Sequence, residues 1–422
     1  MKYFRRQIEP QLRKMHSISR GRIIVLTGAR QVGKSTLAKR TFAEYPVIDM
    51  DSPVERIVYK KMTPGDWINQ YPQVIIDEIQ KLPELFETIK ACYDRNEETR
   101  FILLGSSQFL LQKGVKESLA GRAAIKELYP FSIPELIKSN NFVNDSRLIR
   151  LLSSECPAEQ FSDIIPKTAV LDECFTHSKS AWNYYLSFGG MPALLNCDWD
   201  DNDKYEWLSD YHQTFLQRDL LDLARLENLE PFIKAQQTVA LRTGQTINFS
   251  DLARDAGISP PTARKFIQYL EISYQVILLQ PWFRNRHKRL AKMPKIHFID
   301  PGIRRSISQK QASTNGAEFE SAVVSEIYKQ CKNAGSRINL YHLRTLDGRE
   351  VDLLIEREDG YIAIECKQGD IAHKSDTKHL RKLDTILDKP VLLSLVVSND
   401  YEVKQLSQTP SIWNVPAALL LS

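Results

Sequence analysis

Nine consecutive residues, Gly28-Ala-Arg-Gln-Val-Gly-Lys-Ser-Thr36, fit the pattern G-x-x-x-x-G-K-[ST] and constrain this chain more than any other feature. The apolar, β-branched run Ile23-Ile-Val-Leu-Thr27 leads into them, and Leu37-Ala-Lys-Arg-Thr-Phe42 behind them suits a helix. Strand, glycine-rich loop and helix in that order are the setting in which such a loop cradles phosphates. Gly28 and Gly33 let the backbone curl so that its N–H groups face the phosphates, while the helix start adds the positive end of its dipole. Gly28, Ala29, Arg30, Gln31, Val32, Gly33, Lys34, Ser35 and Thr36 are therefore the candidate nucleotide-binding positions. Lys34 is expected to bridge the β- and γ-phosphates, and the Ser35 hydroxyl to ligate Mg²⁺.

A second apolar run, Val74-Ile-Ile76, ends at Asp77-Glu78. Two acids at a strand end are often only a solvated rim, but so soon after a phosphate loop they suit hydrolysis. Asp77 would hold Mg²⁺ and Glu78 would polarise the attacking water. A third run, Phe101–Leu104, ends in Gly105-Ser106-Ser107, where Ser106 or Ser107 either senses the γ-phosphate or merely turns the chain.

Together with Leu119-Ala-Gly-Arg122, Leu128-Tyr-Pro-Phe131, Phe215-Leu-Gln-Arg-Asp219 and Ile296-His-Phe-Ile-Asp-Pro-Gly302, these motifs resemble a family of AAA-type P-loop ATPases. That family pairs its ATPase domain with a C-terminal domain of unknown function. The resemblance implies an α/β fold with a P-loop NTPase parallel-sheet core, and ATP binding with hydrolysis. It also makes Arg122 a candidate arginine finger in a homo-oligomer, against a plain surface arginine. Arg218-Asp219 reads as an internal ion pair before a sensor.

At 422 residues the chain has room for roughly two or three domains. Four segments follow from the patterning: an ATPase core over 1–135, a helical lid over 136–235, a winged helix-turn-helix over 236–300, and a C-terminal α/β domain over 301–422. No apolar run approaches the ~18 residues of a membrane helix, and the basic start of the chain lacks the apolar stretch of a secretory signal. The six cysteines form no CxxC pair, which argues against a zinc ribbon or a disulfide framework. A cytoplasmic protein without membrane contact is expected.

Within the lid, His177 and His212 stand alone and read as structural or solvated. In the third segment, Ile247–Gly257 and a helix opened by Ser259-Pro260 precede a strand from Tyr274, the order of a winged helix. Arg264, Lys265 and Gln268 are the expected exposed residues of its recognition helix. Arg284, Arg286, Lys288 and Arg289, extended by Lys292 and Lys295, then form a basic stretch without an acid. The net charge is only +5, so this local concentration is the electrostatic footprint for duplex DNA, unless it is a solvated loop or the winged helix packs against the ATPase core instead.

The last segment opens with a helix over Ala317–Gln330 that places Glu320 on the apolar face of Val323, Val324 and Ile327, whereas Glu318 lies off it. Two strands follow, Glu350–Ile355 and Tyr361–Lys367, joined at Asp359-Gly360. A hairpin brings Asp352 near Glu365 and Lys367, which share one face of their strand. This constellation resembles the PD-(D/E)XK nuclease core, of restriction-endonuclease-like fold. The resemblance implies Asp352, Glu365 and Glu320 as metal ligands and Lys367 as the residue orienting the nucleophilic water. Three roles stay open for the ATPase cycle: a DNA-bound switch or motor, an ATP-gated nuclease, and a protein-remodelling ATPase.

Overall fold

The computed structural model describes residues 3–18, 21–105, 117–137, 146–166, 173–195, 199–216, 228–284, 293–309, 314–345 and 347–422. Five parallel strands build the first sheet: β1 (Ile23–Gly28), β2 (Val47–Asp49), β3 (Gln73–Asp77), β4 (Arg100–Leu104) and β5 (Ala123–Leu128). Their order is β2-β3-β4-β1-β5. All of β1 is buried, as befits a central parallel strand covered on both faces. β4 lies between β1 and β3, so the third apolar run of the sequence is inserted between the first two. Parallel strands end on one edge, and the phosphate loop and Asp77-Glu78 therefore open onto the same rim.

The second sheet has nine strands: β6 (Gln245–Thr246), β7 (Val276–Pro281), β8 (Lys295–Phe298), β9 (Asn339–Arg344), β10 (Glu350–Glu356), β11 (Tyr361–Lys367), β12 (Val391–Ser398), β13 (Lys404–Ser407) and β14 (Ile412–Pro416). The order is β13-β14-β12-β11-β10-β9-β7-β8-β6. β7 pairs antiparallel with β8 and parallel with β9, so one sheet crosses residue 300 without a break.

Before this sheet, helices Phe249–Ala256 and Pro260–Ile272 meet at Gly257, whose φ of 68° turns the chain in a conformation that suits glycine. The Ser259 side chain caps the second helix by accepting from the Thr262 amide at 3.3 Å. Ala263, Phe266, Ile267 and Leu270 face the core, which leaves Arg264, Lys265 and Gln268 exposed.

The helix Gly316–Ala334 ties the two sheets together. Its buried Glu326 and Lys329 pair at 2.8 Å. Glu326 also accepts from the Ile133 amide at 2.7 Å, and the Lys329 ammonium donates to the Phe131 carbonyl at 2.9 Å. Removing one member of such a pair costs about 3–5 kcal/mol, because the other is left buried and uncompensated.

Candidate functional site

At the end of β1 the chain turns through Gly28, where an added Cβ would lie 2.2 Å from the Leu128 carbonyl oxygen. Gly33, at φ 92°, then opens the helix Lys34–Thr41. Only glycine takes that conformation without strain. Lys34 is buried, and its ammonium donates to the Gly28 and Ala29 carbonyls at 2.9 and 2.8 Å. The Ser35 hydroxyl donates to Asp77 Oδ2 at 2.5 Å. A hydroxyl and a carboxylate thus meet where a loop-bound Mg²⁺ needs oxygen ligands, so the donor set fits the metal. Glu78 follows with φ 50°, a left-handed conformation uncommon outside glycine, and its carboxylate accepts from the Gln80 side chain. Ser106, Ser107 and the Arg218-Asp219 pair, all named from sequence, lie outside the described residues.

The loop is held by residues that no motif announces. Buried Arg6 donates to the Val32 carbonyl at 3.1 Å and pairs with Glu135 at 3.2 Å. The Tyr211 hydroxyl donates to the Arg30 carbonyl at 3.0 Å. Thr27, the last residue before Gly28, meets the Tyr274 hydroxyl through its own. Their sequence separations explain why a local reading passes over them. Arg122 lies just before β5, in a two-point ion pair with Asp94 at 2.8 and 3.0 Å.

Arg284 is exposed, as are Arg264, Lys265 and Gln268; Arg286, Lys288, Arg289 and Lys292 lie outside the described residues. Lys295 requires a correction. It is not part of a phosphate-facing stretch, because β8 turns its side chain inward, where it is only 2% exposed. Its ammonium lies 2.9 Å from Glu320 Oε1, 2.7 Å from Glu350 Oε1 and 3.3 Å from Asp352 Oδ1.

The acids named from sequence do converge there. Asp352 Oδ2 accepts from the Cys366 amide at 2.9 Å, next to Glu365, and Glu365 pairs with Lys367 at 2.8 Å. Burial, then the neighbouring Asp352 charge, pushes the Glu365 carboxyl up to about 8. The same two causes raise Glu320 well above the usual carboxylate range. Burial alone would depress Lys295, but Glu320, Asp352 and Glu350 hold it above the ordinary lysine value. Among the described residues no group of three or more His, Cys, Asp or Glu is disposed to hold a metal ion. Glu318 is also more than an ordinary off-face acid: it closes a capping box with Asn315 and pairs, buried, with Arg304 at 3.0 Å. His212 is buried against Gln236 and His177 is exposed.

Residues 20–137, which contain the whole parallel sheet, match the family described as AAA domain. The first third of this chain is an AAA-type P-loop domain. Behind its AAA domain, residues 179–314 match a Domain of unknown function (DUF8612) and residues 315–418 a second (DUF4143). An uncharacterized protein of Mycobacterium tuberculosis is 26% identical over 371 residues, covering 86% of this chain and 74% of the relative. One from Methanocaldococcus jannaschii is 24% identical over 342 residues, covering 79% and 70%. Among solved structures, the Walker-type ATPase of Pyrococcus abyssi is similar at 17% identity and a TM-score of 0.43, over 72% of this chain and 96% of that one. Among the described residues no helix is long and apolar enough to cross a membrane.

Proposed function

We propose that this chain binds and hydrolyses ATP at the 28–36 loop and acts as a nucleotide-dependent switch. The hydrogen bonds just before the loop and within its first turn support this reading best. Thr27 touches Tyr274, which leads into β7, and the Arg30 carbonyl accepts from Tyr211. Movement of the loop with its nucleotide therefore bears directly on the helical segment and on the second sheet. Lys34 and the loop amides would hold the phosphates, and Ser35 with Asp77 would hold Mg²⁺, which supplies charge neutralisation at the phosphate oxygens when bound. Glu78 would orient the attacking water. Arg122, now paired with Asp94, could exchange that partner for a neighbour's phosphate in a homo-oligomer.

The double variant Tyr211→Phe, Tyr274→Phe tests the coupling. Its ATP affinity is expected to fall by no more than about 30-fold, since the two hydroxyls contribute roughly 1 kcal/mol or less each to loop geometry. Protection of β7 against hydrogen exchange on adding ATP is expected to disappear. Protection that survives in the double variant removes the switch as drawn.

Duplex DNA is the partner favoured by the exposed face of Arg264, Lys265 and Gln268, with exposed Arg284 beyond the end of β7. Replacing Arg264, Lys265 and Arg284 by Ala is expected to weaken DNA binding and to reduce the slope of log K against log salt by about 0.9 for each phosphate no longer neutralised. A DNA affinity and salt slope indistinguishable from the parent's would leave a protein client as the better reading.

A further inference from the structure

The C-terminal carboxylates pose a charge problem that one buried side chain answers for three of the four. Glu320 comes from the Gly316–Ala334 helix, Glu350 and Asp352 from β10, and Glu365 from β11. Glu320, Asp352 and Glu365 are each at most 9% exposed. Acids so buried need a cation to stay ionised, because desolvating the charge without one is prohibitive. The Lys295 ammonium has three N–H groups and three carboxylate oxygens around it, one each from Glu320, Glu350 and Asp352, at 2.7 to 3.3 Å. That is a complete first shell for an ammonium. Mg²⁺ draws oxygens in to about 2.0–2.1 Å, so the present spacing belongs to the larger cation.

Lys295 is also fixed in place from both sides. β8 pairs with β7 at Leu279 and with β6 at Thr246, so the residue cannot swing out without opening the ladder on each flank. Lys367 is a separate case, since it serves Glu365 and is partly exposed.

We propose that Lys295 is a built-in cation occupying the divalent-metal position of the Glu320–Glu350–Asp352–Glu365 cluster, so that this cluster is closed to Mg²⁺ and Mn²⁺ in the native chain. The DUF4143 segment then keeps a nuclease-like carboxylate arrangement as a structural charge cluster, and the chain does not cleave phosphodiesters through it. This inference is independent of the switch and of DNA contact.

The test uses the full chain without nucleotide and Mn²⁺ as the probe, followed by electron paramagnetic resonance. The parent and its Asp352→Asn variant are expected to bind Mn²⁺ identically. Lys295→Met is expected to gain one Mn²⁺ site at least ~100-fold tighter than any parent site at the cluster, since three anionic ligands are released to the metal, and Asp352→Asn added to it should abolish the gain. Because Lys295→Met strands three acids, the double variant Lys295→Met, Glu320→Gln, with one charge fewer, serves if the single one does not fold. Mn²⁺ binding by the parent that Asp352→Asn removes would overturn the proposal. A folded Lys295→Met, or folded double variant, that gains no site would overturn it as well.

Discussion

Lys34→Met is expected to lower ATP affinity by about two to three orders of magnitude, because it removes a buried ammonium whose charged hydrogen bonds are worth roughly 1.5–3 kcal/mol each. Met keeps the aliphatic stem, so the packing of the Lys34–Thr41 helix against β1 is retained and the loss is electrostatic. In the structure the ammonium donates to the Gly28 and Ala29 carbonyls, which places it inside the curl of the loop and not on its outside. Isothermal titration with Mg·ATP measures the loss, and circular dichroism confirms that the variant is folded. Affinity within about fivefold of the parent would mean that the phosphates are bound elsewhere, since that is less than one charged hydrogen bond.

Glu78→Gln separates binding from turnover. A general base contributes about 10²–10⁴ in rate, so kcat should fall by that factor while ATP affinity stays near the parent value. The backbone supports the assignment. Glu78 adopts a left-handed conformation at the exit of β3, which costs about 1–3 kcal/mol for a residue with a Cβ and persists where the surroundings enforce it. Gln80 and the buried turn behind it supply that enforcement, with Gln80 donating to the Glu78 carboxylate. Phosphate release under single-turnover conditions reads the effect. An unchanged kcat would assign the base to another residue.

Much of the parallel sheet is readable from sequence because its signals are local. The apolar strand, the glycines and the helix behind them occupy 20 consecutive residues from Ile23 to Phe42. The strand-end acids follow their own apolar run in the same way. The Ser259 cap and the Gly257 turn are legible for the same reason, since capping chemistry spans three or four residues. In the C-terminal part, period-two alternation puts Glu365 and Lys367 on one side of their strand, where the structure pairs them at 2.8 Å.

Lys295 shows where that reading fails. Seen in sequence it extends a basic run, because the residues that neutralise it lie 25, 55 and 57 positions away at Glu320, Glu350 and Asp352. Only the pairing of β8 between β7 and β6 decides that it points inward. Arg6, Tyr211 and Tyr274 escape for a related reason: each reaches the loop or its strand from a distant part of the chain, and none sits in a motif. Glu318 differs from these, since Asn315 followed three residues later by Glu is a capping-box signature that a local reading can find.

Hydrogen exchange of residues 274–281 in the Glu78→Gln protein, with Mg·ATP, with Mg·ADP and without nucleotide, tests the switch most directly. A loop that reports its nucleotide through Thr27 and Tyr274 predicts slowest exchange with ATP and a return toward the nucleotide-free rate with ADP. Equal rates in all three states, with ATP shown to be bound, would contradict it.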